Sequence, residues 1–174
     1  MQDVVETRMA EQAPAASAAA LAGGMTELVS FAIGDDLYGV DIMAVREIKG
    51  WSGVTHLPNQ PDHVRGVMNL RGLIVPVIDL RRRFGQGLTE ATPLHIAIIV
   101  QIDGRQIGLL ADRVIDIVPL DGLQIQPVPR MGESVRGEVL SGLVTIGDEM
   151  IALIDLASLH AIGLGEPGRR AARN

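Results

Sequence analysis

The stretch "RGVMNLRGLIVPVIDL" (residues 65–80) returns 76 positions later as "SGLVTIGDEMIALIDL" (141–156). Gly66 matches Gly142, Ile78 matches Ile154, Asp79 matches Asp155 and Leu80 matches Leu156. The glycine, aliphatic and acidic positions recur, but Asn69-Leu70-Arg71-Gly72 becomes Thr145-Ile146-Gly147-Asp148. Upstream, "LYGVDIMAVREI" (37–48) has its counterpart in "QIGLLADRVIDI" (106–117), again with glycine over glycine and acid over acid. Two motifs in the same order at nearly constant displacement mark an internal duplication. The displacement grows because the second copy carries the longer Pro-rich loop "DGLQIQPVPRMGESVRGE" (121–138).

Outward from these motifs the chain reads as short β-runs broken by Gly, Asp and Pro. "LVSFAI" (28–33), "LYGVDI" (37–42) and "AVREIKG" (44–50) precede the opening stretch, and "HIAIIVQI" (95–102) starts the second copy at an Asp103-Gly104 hairpin turn. Pro76 cannot donate to a ladder, so its N–H position is expected to face an edge or a bulge. Copy 1 spans about 28–84 and copy 2 about 95–160. Each supplies some five strands, right for a small closed barrel that leaves no exposed edge. Two barrels must meet, and the cleft between them is a natural binding surface. "DLRRRFG" and "DLASLHAIGLG" follow the last strand of each copy and read as short helices with an Asp N-cap and a closing Gly.

Composition narrows the function classes. Apolar residues make up 47% of the 174, aromatics only 2%, so the core is aliphatic and stacking platforms for single-stranded nucleic acid are missing. A net charge of −6 repels phosphate backbones and anionic lipid. The lack of Cys removes disulfides and thiolate metal sites and fits a reducing cytoplasm. No window reaches the roughly 18 apolar residues of a bilayer span. Asp3 and Glu6 stand where a signal peptide would be positive, so residues 1–25 read as a disordered tail. Residues 163–174 read as a flexible C-terminal tail.

No catalytic or metal constellation emerges. His56, His63, His95 and His160 are scattered without ligand spacing, and no serine lies in a nucleophile elbow. "GLGEPG" (163–168) matches a dinucleotide fingerprint but follows a helix and contains Pro167. Asp35-Asp36 reads as a turn, and Arg81-Arg82-Arg83 as the solvated face of a short helix. The difference between the copies is therefore the strongest lead. From physics alone Arg71 is either an exposed turn arginine or a recognition residue, its fork of donors held by Glu47.

"GDDLYGVDIMAVREIKG", "VTHLPNQPDHVRGVMNLRGLIVPVIDLRRRFG" and "IGLLADRVIDIVPL" together resemble the CheW adaptor family of bacterial chemotaxis, from about Leu28 to Leu159. The resemblance implies an all-β fold of two SH3-like, five-stranded barrels whose halves are interleaved within a single domain at 26–162. It implies an adaptor, not an enzyme, without cofactor or metal, monomeric in isolation. Its implied place is the cytoplasm, at membrane-associated receptor arrays. Its implied partners are the cytoplasmic tip of methyl-accepting chemoreceptors and the regulatory domain of the histidine kinase CheA; nucleic acid and membrane insertion are not implied. Carried over residue by residue, receptor contacts fall on Val45, Glu47, Arg71, Ile96 and Ile117, along a groove between the barrels. Kinase contacts fall on Gly39, Val40, Ile42 and Gly66. The competing classes are an enzyme with an unrecognised site and a small-barrel nucleic-acid binder. On the family reading, both copies need the glycine and aliphatic frame, and one turn carries "NLRG" because it faces the partner.

Deleting residues 1–24 should leave the thermal midpoint within a few degrees of the full chain, since β-patterning begins only at Leu28. A large fall in a melting curve of the truncated protein would show that the tail is packed.

Overall fold

The computed structural model describes residues 24–129 and 139–163. Residues 1–23 of the expected N-terminal tail, and both "GLGEPG" and the C-terminal tail beyond Gly163, lie outside the described residues; Met25, the last residue of the expected N-terminal tail, packs against the core. In the first repeat, strands β1 (Glu27–Ile33) and β2 (Asp36–Asp41) form a hairpin turning at Gly34, whose φ is +61°. A 3-10 turn at Ile42–Ala44, capped by the Asp41 carboxylate on Met43 N at 3.0 Å, leads into β3 (Val45–Gly50). Then come β4 (Val64–Leu70), β5 (Leu73–Asp79) and helix α1 (Leu80–Arg83). The second repeat gives β6 (Ile96–Ile102), β7 (Arg105–Ala111), β8 (Arg113–Pro119), β9 (Ile125–Gln126), β10 (Leu140–Ile146), β11 (Glu149–Ile154) and helix α2 (Leu156–Gly163).

Neither sheet belongs to one repeat. One runs β3-β6-β7-β5-β4 and the other β8-β1-β2-β11-β10-β9. Each repeat's first hairpin pairs with the later strands of the other repeat. The ladders that complete this exchange are parallel and superimpose on one another: Val77 opposite Gly108 in one, Leu153 opposite Gly39 in the other. Each sheet then curls on itself. Thr55, just beyond β3, exchanges backbone hydrogen bonds with Val67 of β4 at 2.8 and 2.9 Å. In the other sheet β9, just beyond β8, pairs with β10. The five expected strands thus become six in one sheet, because the single bridge at Thr55 lengthens to a two-residue strand at Ile125–Gln126.

Irregularities are duplicated too. Arg46 is the extra residue of a bulge between Val45 and Glu47, and Ile115 the extra residue opposite Ser30 and Phe31. Arg65 and Ser141 are skipped in the same way between Val64 and Gly66 and between Leu140 and Gly142. Such bulges increase local twist, which a small closed sheet requires. Pro76 sits in mid-strand, with its N–H position facing an open stretch of strand edge, as expected. It is tolerated because the β5–β7 ladder begins only at Val77, so no partner awaits its missing N–H.

Three hydrophobic clusters follow from the exchange. Met68, Val75, Val77, Ala97, Ile99 and Leu110 are among those filling one sheet, and Leu28, Val144, Ile151 and Leu153 among those filling the other. The largest cluster lies between the sheets and takes residues from both, including Val29, Phe31, Val40, Ile78, Ile98, Val100 and Leu109. Strands β1, β2, β6 and β7 therefore face apolar surroundings on both sides, which is why "LVSFAI" and "AIIV" run without polar alternation. Three of the four aromatic residues stack here, Phe31 on Tyr38 at 6.1 Å and Tyr38 on Phe84 at 4.8 Å.

The helix starts are as the sequence predicts. Asp79 caps α1 on Arg82 N, and Asp155 caps α2 on the Ala157 and Ser158 N–H groups. Asp79 is wholly buried and also accepts from Thr89 N at 2.9 Å and Thr89 Oγ1 at 2.6 Å. Of the three arginines of α1, Arg82 keeps the expected exposed face, while Arg81 and Arg83 depart from it. Arg81 pairs with Asp112 at 2.9 Å, Arg82 with Asp62 at 3.2 Å, and Arg83 is buried, because one turn of helix lies pressed against the barrels.

Gly66 and Gly142 occupy matching bulges but face different obstacles. A Cβ at Gly66 would stand 2.3 Å from the Thr55 carbonyl oxygen, and its φ is +147°. A Cβ at Gly142 would meet a methyl of Ile125 at 2.7 Å and the Gln126 oxygen at 3.1 Å, without positive φ. Gly66→Ala should therefore destabilise by about 3 kcal/mol or more, combining backbone strain with a clash against main chain. Gly142→Ala should cost about 1–3 kcal/mol, since a side-chain methyl can give way. Chemical denaturation of both variants checks the order; equal small losses would remove the structural meaning of the repeat.

Candidate interaction site

The β4–β5 hairpin turns through Leu70-Arg71-Gly72-Leu73. Its two central residues both have positive φ, +52° at Arg71 and +88° at Gly72. That is the signature of a type I′ turn, which suits the twist of a tight hairpin. The Asn69 side chain closes it, Oδ1 accepting from Gly72 N at 2.7 Å. In the second repeat a glycine, Gly147 at φ +61°, takes the place of Arg71. Left-handed backbone costs most L-residues about 1–2 kcal/mol, with Gly, Asn and Asp the usual exceptions. The other two non-glycine residues with positive φ are Asn59 and Asp103. Arg71 is thus the one such residue of an unfavoured type among the described residues. Strain of this kind, held in place by its surroundings, marks functional positions.

The Arg71 guanidinium forms an ion pair with the Glu47 carboxylate on β3, as the sequence reading anticipated. Its side chain stays 75% exposed, so the pair fixes the arginine and leaves most of its donors open to a partner. Lys49 lies 4.0 Å from the same carboxylate and adds a second cation. The trio carries a net positive charge on a chain that is acidic as a whole. Leu73 and Ile74, which leave the turn along β5, are 48% and 58% exposed. Lys49, Asn69 and Leu70 also line a shallow cavity of about 320 Å³ at this end of the sheet.

Register sorts the two faces of β3. Glu47 pairs with Ile99, which faces the interior of its own sheet, whereas Val45 and Ile48 pair with Val100 and Ile98 of the inter-sheet core. Side chains of directly paired residues share a face. Glu47, and with it the guanidinium of Arg71, therefore lies on the face of β3 that turns to the interior of its own sheet, not on the inter-sheet face expected for Arg71. Val45 and Ile96 pack on the margin of the inter-sheet core, joined there by Val114 from the other sheet. Ile117 on β8 pairs with Val29 and is 52% exposed; its repeat equivalent on β3, Ile48, is 44% exposed. Strands β3 and β8 each begin the order of their sheet, so both present an unpaired outer edge. Five expected positions thus resolve into a charged pair, two core-margin residues and one exposed isoleucine. Ile48, Lys49 and Asn69 were missed. The Ile48–Ile117 match inside the repeat and the Asn-x-x-Gly spacing were the signals that could have found them.

The four positions expected to touch the kinase are mostly internal. Val40 has no exposed surface, and Gly39 and Gly66 are buried. At Gly39 a Cβ would lie 3.0 Å from Leu28 and 3.2 Å from Ile151. Ile42 is half-buried against the inter-sheet core. Burial leaves these positions little surface for direct contact: β2 is covered on both faces at Gly39 and Val40, and Gly66 sits against the Thr55 carbonyl. Among the described residues no cluster of three or more His, Cys, Asp or Glu side chains could hold a metal ion. No described helix is long and apolar enough to cross a membrane.

Comparison with known proteins agrees with this architecture. The family model for the CheW-like domain matches residues 27–162. The chain is 40% identical over 139 residues to the chemotaxis protein CheW of Rhizobium meliloti (strain 1021), covering 80% of this chain and 90% of that one. It is 38% identical over 133 residues to the chemotaxis protein CheW of Klebsiella aerogenes, covering 76% and 80%. Among solved structures, the scaffolding protein TtCheW from Thermoanaerobacter tengcongensis superposes with a TM-score of 0.69 at 36% identity, covering 76% of this chain and 85% of that one. A family match over most of the chain, a shared fold and identities of this size place it plainly: the chain belongs to the CheW-like family.

Proposed function

We propose that this chain is a non-catalytic chemotaxis adaptor that couples methyl-accepting chemoreceptors to the histidine kinase CheA. In this reading the cytoplasmic tip of the receptor lies along the seam between the sheets. It rests on the aliphatic side chains of Val45, Ile96 and Ile117, and a polar or acidic group of the receptor reaches the open donors of Arg71. The regulatory domain of CheA binds a separate surface, and Gly39, Val40, Ile42 and Gly66 serve that contact by holding the strands that present it. The protein works in the cytoplasm at receptor arrays and is monomeric when isolated. The observation that carries this reading is the strained arginine: one of two duplicated turns departs from glycine, and the departure is held by Glu47 and Asn69. The relatives named above are chemotaxis and scaffolding proteins, which supports the same role.

Arg71→Ala should weaken binding of a receptor cytoplasmic fragment by about 1–3 kcal/mol, the usual loss for an interface arginine. Binding of the CheA regulatory domain and the melting temperature should barely move, as expected for an exposed side chain. Paired titrations with a melting curve decide the matter. Equal losses for both partners together with a lowered melting temperature would make Arg71 a structural residue.

Arg71→Gly separates strain from function more sharply. It should hold the turn and raise stability by up to about 1 kcal/mol, because glycine meets no penalty in the left-handed region. Receptor binding should fall as in Arg71→Ala. A clear loss of stability on denaturant titration would mean that Arg71 contributes more to the fold than its exposed ion pair accounts for.

A further inference from the structure

We propose that Asn69 is a positioning residue for Arg71: it holds the turn in the form that aims the arginine, and so sets receptor affinity without touching the receptor. The proposal deepens the receptor reading above and rests on it. Asn69 is exposed at the end of β4, and its Oδ1 accepts a hydrogen bond from Gly72 N at 2.7 Å. That bond spans the two residues with positive φ. Free of it, Arg71 has a reason to leave the left-handed region, because a residue of its type is strained there. Leaving would swing its Cα–Cβ bond away from β3 and break the reach to Glu47. The second repeat turns differently, since Asp148, which matches Gly72, does not share its positive φ. Gly147 adopts the same sign of φ without strain, and the residue matching Asn69 is Thr145. Asn thus stands where an arginine must be held and not where a glycine turns freely. A partner that needs the arginine in place sees only the fraction of molecules with the turn formed, and apparent affinity scales with that fraction.

The experiment titrates a receptor cytoplasmic fragment and the CheA regulatory domain against the full chain and its Asn69→Ala, Asn69→Asp, Arg71→Ala and doubly substituted forms. Asn69→Ala is expected to weaken receptor binding roughly 3- to 10-fold through loss of the formed turn, leaving kinase binding and the melting temperature unchanged. Asn69→Asp, which keeps an acceptor for Gly72 N, should restore most of the affinity. In the Arg71→Ala background, Asn69→Ala should add nothing. If Arg71→Ala itself leaves receptor binding intact, the receptor reading fails. If Arg71→Ala weakens binding but Asn69→Ala does not, the positioning role alone is overturned. It is overturned equally if Asn69→Ala costs the same in both backgrounds, or if Asn69→Asp is as weak as Asn69→Ala.

Discussion

The apolar contact between the two sheets is the constraint on which the molecule depends. It exists because the first hairpin of each repeat leaves its own later strands and joins those of the other. Strands β1, β2, β6 and β7 then lie between a barrel interior and the inter-sheet core, buried on both faces. An isolated repeat would keep Val29, Phe31 and Val40, or Ile98, Val100 and Leu109, facing water. Burying a side chain of this size is worth about 1.5–3 kcal/mol, so the joint core makes the two halves mutually dependent. The parallel ladders at Val77–Gly108 and Leu153–Gly39 reinforce it, and the glycines let side chains from the facing strands pack close to the backbone.

This dependence also explains the corrected assignments. A residue on β2 reads in sequence like any other strand residue. Once β2 is clasped between β1 and β11, Gly39 and Val40 are spent on packing. Surface for partners remains where the exchange leaves strands unflanked. Those places are the outer edges of β3 and β8 and the tip of the β4–β5 hairpin. The residues exposed there, Ile48, Ile117, Arg71 and Ile74, are ones a folding argument alone would not require.

Duplication supplies a symmetric frame, and function enters by breaking it at one turn. The bulges at Arg46 and Ile115 and those at Arg65 and Ser141 keep the two halves in register. Closure constrains them, since a shift of one residue would turn every side chain to the wrong face. The hairpin tips are free of that constraint. One keeps glycine at its left-handed position, and the other carries an arginine paired with a carboxylate from β3, in a turn closed by an amide from β4. Side-chain bonds from neighbouring strands make that strain tolerable, and an exposed, aimed guanidinium is the result.

Local chemistry was legible in the sequence. The strand runs, the Asp79 and Asp155 caps and the Asp103-Gly104 turn follow from patterns spanning a few residues, and the repeat of those patterns singled out Gly66 and Gly142. The Glu47–Arg71 pair was also anticipated, because the repeat isolated Arg71 as the position that differed. Non-local pairing was not legible from the residues. Aliphatic strands of similar length have no local feature that selects one partner over another, so the assignment of each hairpin to the opposite half is made by total burial. From that choice follow the enclosure of Val40, the burial of Arg83, the mid-strand place of Pro76 and the placing of Glu47 on the face of β3 away from the inter-sheet core. The sequence by itself determined which residues turn, cap and alternate, because those preferences act within a few bonds. Only the tertiary structure decided which faces stay open to a partner, because exposure depends on which distant strand arrives to cover them.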